Sequence, residues 1–465
     1  YGQTRLVMGL DSQNFSWPLE PGQSFQTPEL AMTYSGQGMG KMSRDFHKAV
    51  REHLIRSPWQ NRPRPIVVNN WEATYFDFTG EKLLEIVDVA REIGLDMFVL
   101  DDGWFGARDW DDRGLGDWQV NEKKLGMPLR DLVKEVNKRG LEFGLWVEPE
   151  MINKDSDLFR AHPDWALTVP GRQPLSSREQ LILDITNPEA RRHVMDEILK
   201  VMAEAENVRY VKWDMNRSVL DTYLAGADSK SQGMYRHLYV LAMYEMTQTL
   251  LDAYPDLLLE GCSGGGGRFD LGMLYFAPQI WTSDNTDASD RVEIQYGTSF
   301  FYPPSAISAH VSAVPNHQNH RTTPLKSRGI VAYQGSFGYE LDLTRLSEEE
   351  IAEMKDQVKT YRALADLVLQ GDYYRLTNPF SGEAYTAWST VDPAGKKAIL
   401  SVYYHDLKSN YPNPILRFKG LLADGLYELS LDGQVLGKFL GQTLMEVGFR
   451  SAYPEENYQA FLYQV

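Results

Sequence analysis

Short apolar runs alternate with longer amphipathic ones about eight times between Pro65 and residue 311, and this alternation limits the fold more than any other feature of the chain. The short runs fall at 66–71, 97–100, 143–147, 181–184, 210–213, 257–260, 279–282 and 306–311. They are too short for helices and rich in β-branched and aromatic residues, so they read as buried strands. Between them, 81–93, 129–138, 189–205 and 235–253 carry apolar residues at helical spacing, and Asn187-Pro188 is a helix-opening pair. Strands separated by helices form a parallel sheet with crossover connections. Eight such units predict a closed (β/α)8 barrel, with an open doubly wound sheet as the alternative.

The polar residues fall in a pattern of their own. Strand after strand ends, on its C-terminal side, in acids, amides and indoles. Trp71 follows the first and Asp101, Asp102 and Trp104 the second; Trp146, Glu148 and Glu150 close the third. Lys212, Asp214 and Asn216 close the strand at 210, Cys262 the next, and Trp281, Asp284 and Asp287 the one after. Barrel active sites lie at that face. A carboxylate flanked by a lysine and an amide, as in Tyr210-Val-Lys-Trp-Asp-Met-Asn216, is suited to chemistry because a nearby cation favours its ionised form, although a buried ion pair closing a strand has the same composition. Acids paired beside aromatic residues suit sugar cleavage, in which one carboxyl attacks the anomeric carbon and the other protonates the leaving oxygen. Asp101 and Asp102 could instead bind a divalent cation or cap a helix.

Other chemistries have weaker support. The formal net charge of −17 disfavours nucleic acid and anionic membrane as partners. No apolar run is long enough to span a bilayer. One cysteine, Cys262, excludes an internal disulfide and fits a reducing, cytoplasmic compartment. His317 and His320 have no cysteine partner and no His-Glu-x-x-His motif, so neither a metal nor a cofactor is expected. The run Gly264–Gly267 lacks the Gly-Lys-Ser/Thr of a phosphate loop. It reads either as a flexible turn or as bare backbone that a ligand can approach.

Outside the repeating region the texture differs. Residues 1–60 hold a turn-rich extended stretch, a helix at 43–55 with Ser43 as its cap, and a proline-rich linker. Residues 61–368 form the barrel region, and 369–465 hold short alternating strands separated by Gly, Pro, Asp and Asn, which read as an antiparallel β-sandwich.

The segments NNWEATYFDF around Trp71, FVLDDGWFG around Asp101, GLWVEPEM around Trp146, KWDMNR from Lys212, CSGGGG from Cys262 and WTSDNTDASDR from Trp281 are long and occur in one order. Together they resemble glycoside hydrolase family 36, chiefly retaining α-galactosidases. The resemblance implies Asp214 as nucleophile and Asp284 as acid/base, their carboxyls roughly 5–5.5 Å apart. It implies that Asp101 and Asp102 grip the 4-OH and 6-OH of galactose, with Lys212, Asn216 and Arg178 (in SSREQLILD) on neighbouring hydroxyls. Trp71 and Trp146 would wall the pocket, and Cys262, Gly264 and Gly265 would face the 2-OH, leaving little room for an acetamido group. The expected substrates are melibiose and raffinose-type oligosaccharides. An α-N-acetylgalactosaminidase, a galactosyl transglycosylase and an inactive sugar-binding chain are the alternatives. The resemblance further implies that residues 1–60 are the end of an N-terminal β domain plus its connecting helix, and that the full-length form is a homo-oligomer.

Overall fold

The computed structural model describes residues 2–407, 409–410 and 413–465. Eight parallel strands close into a barrel: β1 (Val67–Asn69), β2 (Met97–Leu100), β3 (Glu142–Val147), β4 (Val208–Trp213), β5 (Leu258–Gly261), β6 (Gln279–Trp281), β7 (Ile307–Ser312) and β8 (Ser336–Glu340). They pair in chain order, and the ring closes where β1 meets β8, with Val68 opposite Tyr339. Nearly every strand residue is buried, because helices cover the outside and side chains fill the inside. Helices α1 (Gly80–Ile93), α2 (Leu129–Lys138), α3 (Pro188–Ala205) and α4 (Tyr235–Ala253) stand within a residue of the ranges read from the sequence. Thr79 and Asn187 cap the N-termini of α1 and α3 with their side chains, which satisfies otherwise orphaned N–H groups.

Two strand assignments change. The run at 181–184 is not a barrel strand. Leu181–Ile182 pairs antiparallel with Met151–Ile152, and this small ladder belongs to an excursion over the barrel mouth between β3 and α3. The stretch at 208–213 is therefore the fourth barrel strand and 307–312 the seventh. The eighth, Ser336–Glu340, has no aliphatic run to announce it. It contains Gly338, where a Cβ would stand 2.7 Å from Val67 and 2.8 Å from His310, so crowding inside the ring excludes a side chain there.

Past the last barrel helix, Glu348–Gln370, comes a six-stranded antiparallel sheet. Its strands are β9 (Asp372–Arg375), β10 (Tyr385–Val391), β11 (Ala398–Tyr404), β12 (Leu426–Leu431), β13 (Gln434–Leu440) and β14 (Ala460–Gln464), in the spatial order β9-β10-β11-β14-β12-β13. A two-stranded ladder, Ile415–Leu416 with Phe449–Arg450, packs on it through Leu416 and through Phe449 against Tyr463. β13 was not anticipated, although Asp432-Gly433, with φ of 51° and 75°, is a hairpin signal. The N-terminal helix runs Gly38–Ala49 and continues as a π turn to Leu54. Ser43 is buried inside that helix and does not cap it; its Oγ accepts a 2.6 Å hydrogen bond from Arg375. Among the described residues, no helix is long and apolar enough to cross a membrane.

Candidate active site

The C-terminal ends of the strands open on a cavity of ≈ 200 Å³. Trp71, Asp101, Asp102, Trp146, Arg178, Lys212, Asp214, Asn216, Trp281 and Asp284 all line it. Residues distant in sequence converge because all but Arg178, which comes from the excursion between β3 and α3, sit at or just past the end of a barrel strand.

Asp214 is held from three directions. Its Oδ2 accepts from Trp146 Nε1 at 3.1 Å and Asn216 Nδ2 at 2.8 Å, and its Oδ1 from the backbone N–H of Met215 at 2.8 Å and of Gly264 at 3.3 Å. Four N–H donors satisfy a carboxylate, which only accepts. Arg178 extends the chain by donating to Asn216 Oδ1 at 2.8 Å. Arg178 and its neighbour Glu179 both have positive φ, 50° and 58°, a backbone state that non-glycine residues rarely adopt.

Asp284 is different. No protein group among the described residues donates a hydrogen bond to its carboxyl, which is open to the pocket. Surrounding protein mass first, and the charge of Asp214 second, push it up to about 6, against the pull of Lys212. Its carboxyl is exposed to the cavity and ringed by the pocket walls. Under it lies Gly265, at φ 82°; a Cβ there would stand 2.6 Å from the Asp284 amide nitrogen. The glycine run is bare mainly so that the protein's own loop can come close.

Lys212 does not pair with Asp214. Its Nζ lies 3.0 Å from Asp101 Oδ2 and 5.6 Å from the Trp281 ring centre. Burial alone would lower the ammonium, but Asp101 and the further anions Glu340 and Glu260 hold it well above its ordinary range. Burial raises Asp101 while Lys212 pulls it back. Donors from Lys212, Asn69 (2.6 Å) and the Asp102 amide (2.9 Å) surround the Asp101 carboxyl, so the geometry favours the ionised pair. Asp102 is clamped by buried Arg108, whose Nε and Nη2 approach it at 3.0 and 2.7 Å.

Several expected pocket acids face elsewhere. Glu150 is tied to Arg268 (2.8 Å), Trp213 (2.9 Å) and Tyr239 (2.9 Å) behind β4. Asp287 caps the helix Ala288–Thr298 and pairs with Arg321. Glu148 is fully buried and accepts from the Asn216 amide and from Gln180 at 3.2 Å; burial, then Asp214, pushes it well above the usual carboxylate range. Trp104 is also buried, donating to the Trp146 carbonyl at 3.0 Å. The Cys262 thiol is buried, and burial first, then the charge of Asp214, raises it well above its ordinary range. Gly264 is exposed beside Asn216 and Arg178, whereas Gly265 is buried. Among the described residues, no group of three His, Cys, Asp or Glu side chains is set to hold a metal ion.

Sequence reasoning missed Glu72, Arg108, Glu340 and His317, which also line the cavity. Glu340 ends β8 and lies 3.2 Å from His310; burial would raise it, but that hydrogen bond and Lys212 draw it below its ordinary range. Glu72, in contrast, is pushed up to about 8 by burial and by Glu340. The neighbouring negative charge of Glu340 works against ionisation of Glu72, while the Thr286 hydroxyl works for it.

A closed parallel barrel with two carboxyls in one indole-walled pocket at its C-terminal mouth has the architecture of a carbohydrate-active (β/α)8 barrel. The chain belongs to glycoside hydrolase family 36: the Melibiase family matches residues 24–371 and the glycosyl hydrolase family 36 C-terminal domain matches 385–465. It is 46% identical over 465 residues to alpha-galactosidase AgaA of Geobacillus stearothermophilus, covering 100% of this chain and 63% of that protein. It is 47% identical over 461 residues to the bifunctional alpha-galactosidase/sucrose kinase AgaSK of Mediterraneibacter gnavus, covering 99% of this chain and 48% of that one. A crystal structure of an AgaA variant in complex with raffinose superposes with a TM-score of 0.95 at 45% identity, over 98% of this chain and 63% of that one. The chain thus spans about half to two thirds of the length of these relatives.

Proposed function

We propose that the chain is a retaining, exo-acting α-galactosidase that removes terminal α-linked galactose from melibiose and raffinose-type oligosaccharides. One observation carries this reading: two carboxyls in one pocket have opposite environments, Asp214 fixed by four N–H donors and Asp284 unheld and pushed up to about 6. That is the division of labour of a nucleophile and a general acid. Asp214 attacks the anomeric carbon while Asp284 protonates the glycosidic oxygen, and the leaving sugar departs. The resulting galactosyl ester of Asp214 has the inverted configuration. Asp284, now a carboxylate, takes a proton from water, which attacks the same carbon and releases α-galactose. Asp101 and Asp102, immobilised by Lys212 and Arg108, accept hydrogen bonds from sugar hydroxyls. The names of the relatives, and the raffinose bound to the AgaA variant, support this substrate class.

The test is hydrolysis of the 4-nitrophenyl α-glycosides of galactose, N-acetylgalactosamine and glucose, with the product anomer followed by proton NMR. Cleavage of the galactoside with α-galactose appearing first is expected. Preference for the acetamido sugar overturns the substrate assignment, and initial β-galactose overturns retention.

A further inference from the structure

Resting on the glycosidase reading above, we propose that Glu72 is a positioning residue for the general acid: through the Thr286 hydroxyl it fixes the loop that carries Asp284.

Glu72 leaves β1 on the helical turn Trp71–Thr74, on the side of the pocket formed by β1 and β8. Its side chain is nearly buried, and its Oε1 accepts from Thr286 Oγ1 at 2.6 Å. Thr286 lies two residues past Asp284 on the loop after β6. The hydroxyl has one proton to give. Asn316 Nδ2 donates to Thr286 Oγ1 at 3.3 Å, which leaves that proton for Glu72. Ser312 Oγ donates to the Thr286 carbonyl at 2.9 Å, so the residue is pinned at backbone and side chain. On the other side of the acid, Arg291 donates to the Ser283 carbonyl at 3.1 Å. Asp284 has no donor of its own among the described residues, so these two anchors and the floor at Gly265 fix its place. A proton donor misplaced by about 1 Å can lose on the order of a hundredfold in rate.

The groups facing Glu72 come from every neighbouring element: Glu340 from β8, Lys212 from β4, Tyr75 from its own turn and His317, with Nδ1 3.7 Å away, from the loop after β7. Against the anionic Glu340, Glu72 keeps its proton near neutral pH. A glutamine is therefore the close stand-in, because its neutral amide still offers an oxygen to Thr286.

The experiment compares raffinose, whose sugar leaving group needs protonation, with 4-nitrophenyl α-galactoside, whose phenolate does not. The variants are Glu72→Ala, Glu72→Gln, Thr286→Val and the double Glu72→Ala/Thr286→Val. For Glu72→Ala and Thr286→Val, kcat/KM on raffinose is expected to fall about tenfold or more, while kcat/KM on the aryl galactoside, whose ester forms without an acid, stays within about threefold. Glu72→Gln should restore raffinose turnover to within about threefold of wild type, and the double variant should be no worse than the worse single one. Thr286→Val removes one oxygen without changing shape, so the proposal remains testable if Glu72→Ala does not fold. Equal losses on both substrates, a Glu72→Gln variant as impaired as Glu72→Ala, or additive losses in the double variant overturn it. A wild-type protein that cleaves neither galactoside overturns the glycosidase reading instead, and this assignment falls with it.

Discussion

The two sides of the pocket hold their carboxyls in opposite ways. On the β4 side, Asp214 is gripped by an indole, an amide side chain and two backbone N–H groups. On the β6 side, Asp284 projects from a loop anchored before and after it, with no donor on the carboxyl itself among the described residues. A group that forms a bond to carbon must be aimed, and fixed donors aim it without reorganisation during the reaction. A group that gives and retrieves a proton must change charge twice in each turnover. Strong donors would favour one of its charge states, so it is better placed by its backbone than by its oxygens.

The comparison can be broken first at its strongest point. Asp214→Ala should lower kcat on every galactoside by on the order of 10⁴-fold or more, and azide should restore part of the turnover with inverted product. Near-normal turnover would refute the assignment. Asp284→Ala should cost about 10²–10⁴-fold in kcat/KM on raffinose and far less in kcat/KM on an activated aryl galactoside; comparable losses in kcat/KM on the two, measured side by side, would remove its role as acid. Asn216→Ala takes away one of the four donors on Asp214 and releases Arg178, and should lower kcat by roughly tenfold with both substrates alike. A loss confined to raffinose would place Asn216 on the wrong side of the pocket.

The smallest effect is in the pH profile. Asp284 works as acid only while protonated, and it sits at about 6, so kcat/KM on raffinose should decline as pH rises through that value. Arg178 pulls the same carboxyl down, so Arg178→Ala should move this limb upward by a fraction of a pH unit. A shift downward would contradict the electrostatic account.

Much of this was readable from strand ends. Asp101, Asp102, Lys212, Asp214 and Asp284 follow apolar runs directly, and a parallel barrel must bring such residues to one face. Glu148, Glu150 and Asp287 satisfy the same rule and yet line nothing. Which acid turns inward depends on the dihedral angles just past each strand and on where counter-charges lie. Arg268, which claims Glu150, is far along the chain. Glu340 was hidden because its strand is built around Gly338 and has no aliphatic run. Arg108 and His317 reach the pocket from irregular loops, whose course periodicity does not describe. The strand wrongly placed at 181–184 has the right composition, but it finds its partner in Met151–Ile152 above the barrel.

Cys262, the one cysteine in the chain, is buried against Asp214, and burial disfavours its thiolate. Thiol-directed reagents act on the thiolate and need access to it. This 465-residue chain should therefore be silent toward maleimides and similar labels while folded. A single cysteine introduced on an exposed helix face would then be the one labelled position, allowing a fluorophore or surface tether to be attached without touching the pocket.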